Sequence, residues 1–394
     1  ATGCIATAMA QIMHYWQYPE TGDGDAVFDI RYYLYADYAS THYDWAAMLP
    51  RYDAGTYQDA QADAVAELMM HCGVAVHMRY TDEESGAQAQ YVPGALRDHF
   101  RYNRNVGYRN RAYHNDAEWM GSIYKELAAG RPILYTGQDS LMSYGHAFVF
   151  DGFDADGLVH VNWGWDGLHD GYFDINILNS GFLGLAFTEL QSMVMGIGMP
   201  GDEIEHTVEI GIKTDLALYT SPKGDNVFVL SDEDFLIANL NDYDLRGTIA
   251  MVLPTRFSTR VLATLETFPG VDEWGMPVEA FESFTYRYYP DEYEITIPRT
   301  LSNGTYYMYL AFCEEGSSEW QPLWAAEGIV AFFQVKKEGS NFEVVGVRGQ
   351  YATPVTAPAG CAAADGHAYN LQGQRVNHQS RGVVIKNGKK YLKK

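Results

Sequence analysis

Residues 1–19 read ATGCIATAMAQIMHYWQYP. The apolar residues after Cys4 fall at Ile5, Met9, Ile12, Met13 and Trp16, the i, i+4, i+7, i+8, i+11 stripe of an amphipathic helix. Pro19 marks its end. Ala6, Ala8 and Ala10 make the other face small, so the helix is expected inside a domain, packed on most sides. Cys4 falls in its first turn, where unpaired backbone N–H groups and the positive end of the helix dipole shift a thiol toward thiolate. The same position also suits an ordinary buried cysteine, so only a partner elsewhere in the chain distinguishes a nucleophile from packing.

Outward from this helix, residues 1 to about 130 read as helices joined by Tyr-rich loops. DAQADAVAELMMHCG continues a helical stripe through Val65, Leu68, Met69 and Cys72 to Gly73, a natural C-cap. YVPGALRDHF is a short helix opened by Pro93, and NDAEWMGSIYKELAAGRP carries a capping box at Asn115 and Glu118, closed by Gly130 and Pro132. From Pro132 to about 200 the pattern turns to strands: PILYTG, HAFVFDGF, LVHVNWGW and GYFDINI, separated by Gly and Asp turns. Helices first and strands second predict an α+β domain over 1–200. Residues 205–348 are strand-patterned throughout, as in LRGTIAMVLP, GTYYMYLAF and GIVAFFQVKK, and predict an all-β sandwich. An Ala/Pro-rich linker over 349–368 leads to a short β-rich tail, 369–394, that carries Lys and Arg but no acid.

Composition limits the function classes. With 394 residues and 47% hydrophobic content, the chain is long enough for two domains with real cores. A net charge of -24 and a pI near 4.7 argue against nucleic acid, whose phosphates need basic patches. No apolar run of eighteen or more residues is present to span a membrane. The cysteines at 4, 72, 313 and 361 are too few and too scattered for a disulfide framework. His71, Cys72 and His77 form the best local metal-type cluster, but the helical stripe explains Cys72 by packing, and neither a metal nor another cofactor is expected.

A thiolate needs a base or cationic partner, and the partner needs an orienting group. In SYGHAFVFDGFDADGLVHVNWGWDGLHDGYF, His146 follows Gly145 at the start of a strand, from which its side chain can project into a cleft. Asn162, Trp163, Gly164 and Trp165 stand on the next strand of a hairpin. Asn162 is placed to pair with the second imidazole nitrogen, and an indole over that bond would exclude water.

These blocks resemble the streptopain-type (C10) cysteine peptidases of the papain-like clan: GCIATAMAQIMHYWQYP around Cys4, ELMMHCGVAVHMRY through ALRDHFRYN, RPILYTG, and GHAFVFDGFD with HVNWGW and DGYF. The likeness spans residues 1 to about 180. It implies a two-lobed papain-like fold, with Cys4 on the central helix of one lobe and His146 on the β-rich other lobe. It implies Cys4 as nucleophile, His146 as base and acid, and Asn162 and Trp163 as orienters of the histidine. The family tends to have Gly-Gly-His where this chain has Tyr144-Gly145-His146, so Tyr144 and Gly145 are expected to touch substrate. The resemblance also implies an apolar residue second before the cleaved bond, polypeptide substrates, and a propeptide as the enzyme's own partner. The family's oxyanion glutamine precedes the cysteine, and only three residues precede Cys4, so the sequence reads as starting inside the catalytic domain of a longer precursor. The tail, YNLQGQRV followed by RGVVIKNGKKYLKK, is similar to C-terminal modules of exported Bacteroidetes proteins, which implies a secreted or surface-associated enzyme. The competing reading is a catalytically silent adhesin that keeps the papain-like domain as a scaffold and binds ligand through an immunoglobulin-like sandwich.

Overall fold

The computed structural model describes residues 2–29, 33–82, 84–181, 184–230, 235–268, 283–286, 294–326 and 328–348, and the strand residues 368–369, 375–376, 382–386 and 389–393. Cys361 and the stretch 349–367, read above as linker, lie outside the described residues. The chain divides into two compact units: Ala1–Arg111 with Met120–Glu205 and Val355–Lys394, and Ala112–Trp119 with His206–Pro354. The fold class is α+β. No helix among the described residues is long and apolar enough to cross a membrane.

In the first unit, helix α1 (Cys4–Trp16) buries Ile5, Ala6, Ala8, Met9, Ala10, Ile12 and Met13, so both the apolar stripe and the alanine face are covered. Its end is a left-handed turn at Gln17, with Tyr18 N–H bonded to the Met13 carbonyl and Gln17 N–H to that of His14. Pro19 lies just beyond. Helix α2 (Asp59–Ala75) runs two residues past Gly73, which corrects the expectation of a C-cap there. Gly73 is glycine for closeness instead: a Cβ would run into the Tyr80 hydroxyl. The stop falls at His77, φ 54°, with Met78 N–H bonded to the Gly73 carbonyl and His77 N–H to that of Val74. Helix α3 (Val92–Asp98) has Pro93 in its first turn, and helix α4 (Asp116–Ala128) is capped by Asn115, whose Oδ1 accepts from Glu118 N–H at 3.0 Å.

A six-stranded sheet packs against α1. Its order is Gly107–Asn110, Glu189–Met195, Ile133–Gln138, Gly145–Phe153, Val159–Asn162 and Gly171–Phe173, every neighbouring pair antiparallel. The strand Gly145–Phe153 buries Ala147 to Phe150 in succession. Such a run means cover on both faces. Ala147 and Val149 join the cluster around α1, while Phe150 stacks on Tyr135 and Phe148 packs between Tyr135 and Trp163. Among the described residues, five short strands arise before residue 130, where the sequence predicts none: the hairpin Asp25–Asp29 with Tyr33–Asp37, the pair Arg79–Tyr80 with Ser85–Gly86, and Gly107–Asn110 at the sheet edge, so helices and strands interleave more than their order implies.

Among its described residues the second unit's regular elements are strands, apart from its short segment 112–119. Its largest sheet runs Thr259–Phe268, Gly247–Pro254, Gly304–Glu314, Val330–Glu338 and Asn341–Arg348. A four-stranded and a three-stranded sheet accompany it around one core. Residues 112–119, read from the sequence as part of the first domain, pack inside this unit. There the Tyr113 ring lies directly over Gly211, and His114 Nε2 sits 3.1 Å from Glu209 Oε2 in the interior. The tail strands Arg375–Val376, Ala368–Tyr369, Gly382–Lys386 and Lys389–Lys393 pair in that order.

Candidate active site

Cys4 is the first residue of α1, preceded by Gly3 at φ 83°. The strand that packs on this helix begins Gly145-His146-Ala147, and the Ala147 backbone is among the groups that act on the Cys4 thiol. Cys4, His146 and Gly145 line one cavity of about 550 Å³, with Gln138, Leu190 and the stretch 84–90 among its other walls. The structure therefore brings Cys4 and His146, far apart in the sequence, into one cleft.

Burial pushes the Cys4 thiol up from its ordinary value of 9.0, against the backbone N–H groups of Ala147, Ile5 and Cys4 itself. This corrects the expectation that the helix start alone would favour thiolate: lost hydration outweighs the local dipoles. Burial also holds His146 below its ordinary 6.5, only partly offset by the Trp163 carbonyl. Each group alone is thus neutral at pH 7. A charged sulfur requires that the proton move to a neighbouring base.

The orientation of His146 comes from main chain. Its Nε2 lies 2.8 Å from the Trp163 carbonyl oxygen. A carbonyl only accepts, so Nε2 carries the proton and Nδ1 is left as the basic nitrogen. The sequence reading gave this bond to the Asn162 side chain. In the structure the Asn162 Oδ1 instead accepts from Gly164 N–H at 3.0 Å and from Gln11 Nε2 at 3.1 Å. The indole stacked closest on the imidazole is Trp165, with ring centroids 4.6 Å apart and planes at 20°. Trp163 stands farther off, at 6.3 Å from His146, and is wholly buried. Phe187 closes the aromatic enclosure at 5.5 Å.

Trp163 is itself pinned at three points. Its N–H donates to Asp170 Oδ1 at 2.9 Å, its indole Nε1–H to the His169 carbonyl at 3.1 Å, and its carbonyl holds His146. Sequence reasoning missed Asp170, His169 and Gln11. Backbone acceptors carry no residue-type signature. For Gln11 a signal existed, its spacing of seven from Cys4, which returns to nearly the same helix face after two turns.

Tyr144 is exposed and stands outside the residues that line the cavity, whereas Gly145 lines it. The loop before His146 is tied by Asp139, whose Oδ1 accepts from Tyr144 N–H at 2.6 Å and Ser143 N–H at 2.8 Å. These donors hold the Asp139 carboxyl below the usual carboxylate range, the Tyr144 bond contributing most. Of the metal-type cluster, His71 Nδ1 pairs with the Tyr43 hydroxyl at 2.9 Å and burial lowers its pKa to about 4. Cys72 is buried with Sγ 3.6 Å from Met13 Sδ.

Comparison with known proteins follows the same segment. Residues 1–173 match the Peptidase C10 family. The chain is 38% identical over 211 residues to streptopain of Streptococcus pyogenes, covering 50% of this chain and 52% of that protein. It is 36% identical over 222 residues to the thiol protease/hemagglutinin PrtT of Porphyromonas gingivalis, covering 54% of this chain and 23% of that protein. Among solved structures it is similar to the active wild-type interpain A cysteine protease of Prevotella intermedia, at 42% identity and TM-score 0.48, over 50% of this chain and 83% of that one. The chain spans about half the length of streptopain.

Proposed function

Residues 1–173 make this chain a member of the Peptidase C10 family, and on that premise we propose that it hydrolyses peptide bonds with Cys4 as nucleophile and His146 as base and acid. The observation that carries the reading is the convergence of the Cys4 helix start and His146 on one cavity, with the His146 Nε2 proton committed to Trp163. Substrate in the cleft completes the removal of water. Cys4 passes its proton to His146 Nδ1 as the sulfur attacks the peptide carbonyl carbon. The α1 N-terminus and Cys4 N–H face the oxygen that becomes negative. His146 then gives the proton to the leaving amine, the C–N bond breaks, and a thioester remains. Water, deprotonated by His146, cleaves the thioester and restores Cys4.

The Trp163 carbonyl and the stacked Trp165 hold the imidazole in this role, and Asn162 acts through the backbone that carries that carbonyl. Leu190, Ile5 and Ala89 give the cavity apolar wall, which supports a preference for an apolar residue second before the cleaved bond. The peptidase segment is read as two-lobed and papain-like, followed by an immunoglobulin-like sandwich over 205–348 and a tail that directs export or attachment. The enzyme is then secreted or surface-associated and regulated by its propeptide.

The test is peptide hydrolysis by the purified protein and by Cys4→Ala and His146→Ala. Each substitution is expected to lower kcat by several orders of magnitude, and the double variant to be no worse than either. Retention of more than about a hundredth of the activity by Cys4→Ala would remove it as nucleophile.

A further inference from the structure

Gln11 lies seven residues, about 10 Å, along α1 from Cys4 on nearly the same face. Thr7 lies between them, and the segment Asn162–Gly164 packs against this face: a Cβ at Gly164 would sit 3.4 Å from Thr7 Cγ2 and 3.9 Å from Gln11 Oε1. Gly164 N–H can only donate, so the Asn162 atom facing it is Oδ1, and the second partner of that oxygen must be the Gln11 amide nitrogen. The Gln11 Oε1 is left buried without a hydrogen-bond partner. The amide is thus held for its donor alone.

Gly164 N–H and the Trp163 carbonyl are the two ends of one planar peptide unit. One end is bonded to Asn162 Oδ1 and the other receives the His146 Nε2 proton. Fixing the first end fixes the direction of the second, and donation through the N–H strengthens the carbonyl as an acceptor. We propose that Gln11 is a positioning residue: through Asn162 it ties the helix that carries Cys4 to the peptide unit that orients His146. The inference rests on the reading of Cys4 and His146 given above. It predicts that the two reacting side chains share one hydrogen-bonded frame instead of being placed separately by their own elements.

Gln11→Met keeps the length of the side chain and removes the donor. Gln11→Glu keeps the shape and can donate to Asn162 Oδ1 only while its carboxyl is protonated. Both are compared with the wild-type protein and with Cys4→Ala by kcat and KM on one peptide from about pH 5 to pH 8. Gln11→Met is expected to lose about tenfold in kcat at every pH with KM little changed, the effect of leaving a buried acceptor short of its donor. Gln11→Glu is expected to approach wild type at the acid end and to fall away from it as the pH rises. A merely space-filling glutamine would leave Gln11→Met at wild-type kcat, or give Gln11→Glu a ratio to wild type that does not change with pH, and either result overturns the proposal. Cys4→Ala separates the two levels of inference. If it is inactive while Gln11→Met is unaltered, only the role of Gln11 falls; if it is fully active, the assignment of the site falls and this inference with it.

Discussion

At the scale of single residues, burial sets the chemistry of the cleft by opposing charge on both partners. The Cys4 thiol is pushed up and the His146 imidazole down, each mainly by lost hydration. On the pairing proposed above, proton transfer between them makes the charge of one partner depend on the other. On the same sheet, His160 is a contrast: its Nδ1 lies 2.5 Å from Asp151 Oδ1, and that bond raises it above 6.5. The signs follow. His146 without its thiol partner favours the folded state only while neutral, so that contribution is lost as the pH falls below the unfolded value. His160 contributes in the opposite window: its stabilisation is present below the unfolded value and lost as the pH rises through the folded one. Histidine proton resonances followed against pH in the Cys4→Ala protein are expected to place His146 below 6.5 and His160 above it. Asp151→Asn should lower His160 and leave His146 alone. A His146 that titrates above His160 in that protein would contradict the burial argument.

Elements differ in how openly the sequence announces them. Helix α1 and the strand Gly145–Phe153 were legible because apolar period and length agree with what they bury. Glu189–Met195 carries Gln191 and Ser192 into the interior and so disguises a central strand as polar. The disguise is explained by satisfied hydrogen bonds. Gln191 Nε2 donates to the Ile175 and Phe187 carbonyls, and its Oε1 accepts from Tyr135. Cys4 and His146 were legible as a site because their residue types and order are informative. The group that orients His146 was not, because it is a carbonyl that any residue at 163 supplies. The turn that aims this carbonyl does leave a trace, Gly164 at φ 73°. Gly164→Ala puts a side chain on a left-handed backbone, its Cβ in ordinary contact with Thr7. It is expected to cost about 1–2 kcal/mol in denaturant unfolding and to lower kcat as well, since the same peptide unit holds His146. A loss of stability with unaltered kcat would separate the turn from the site.

At the scale of the whole molecule, the family match covers residues 1–173, and the second unit has a separate β core with its own buried His114–Glu209 pair. The account stands on the transfer of the Cys4 proton to His146, and the most direct test is the rate of Cys4 alkylation by iodoacetamide against pH. The labelled site is identified by peptide mapping, in the wild-type protein and in His146→Ala. The account predicts that wild-type Cys4 reacts near neutral pH and ahead of Cys72 and Cys313, whereas in His146→Ala its reaction moves to pH values above the ordinary thiol value of 9.0, where burial alone places it. Superimposable pH profiles for the two proteins would contradict the pairing of Cys4 with His146.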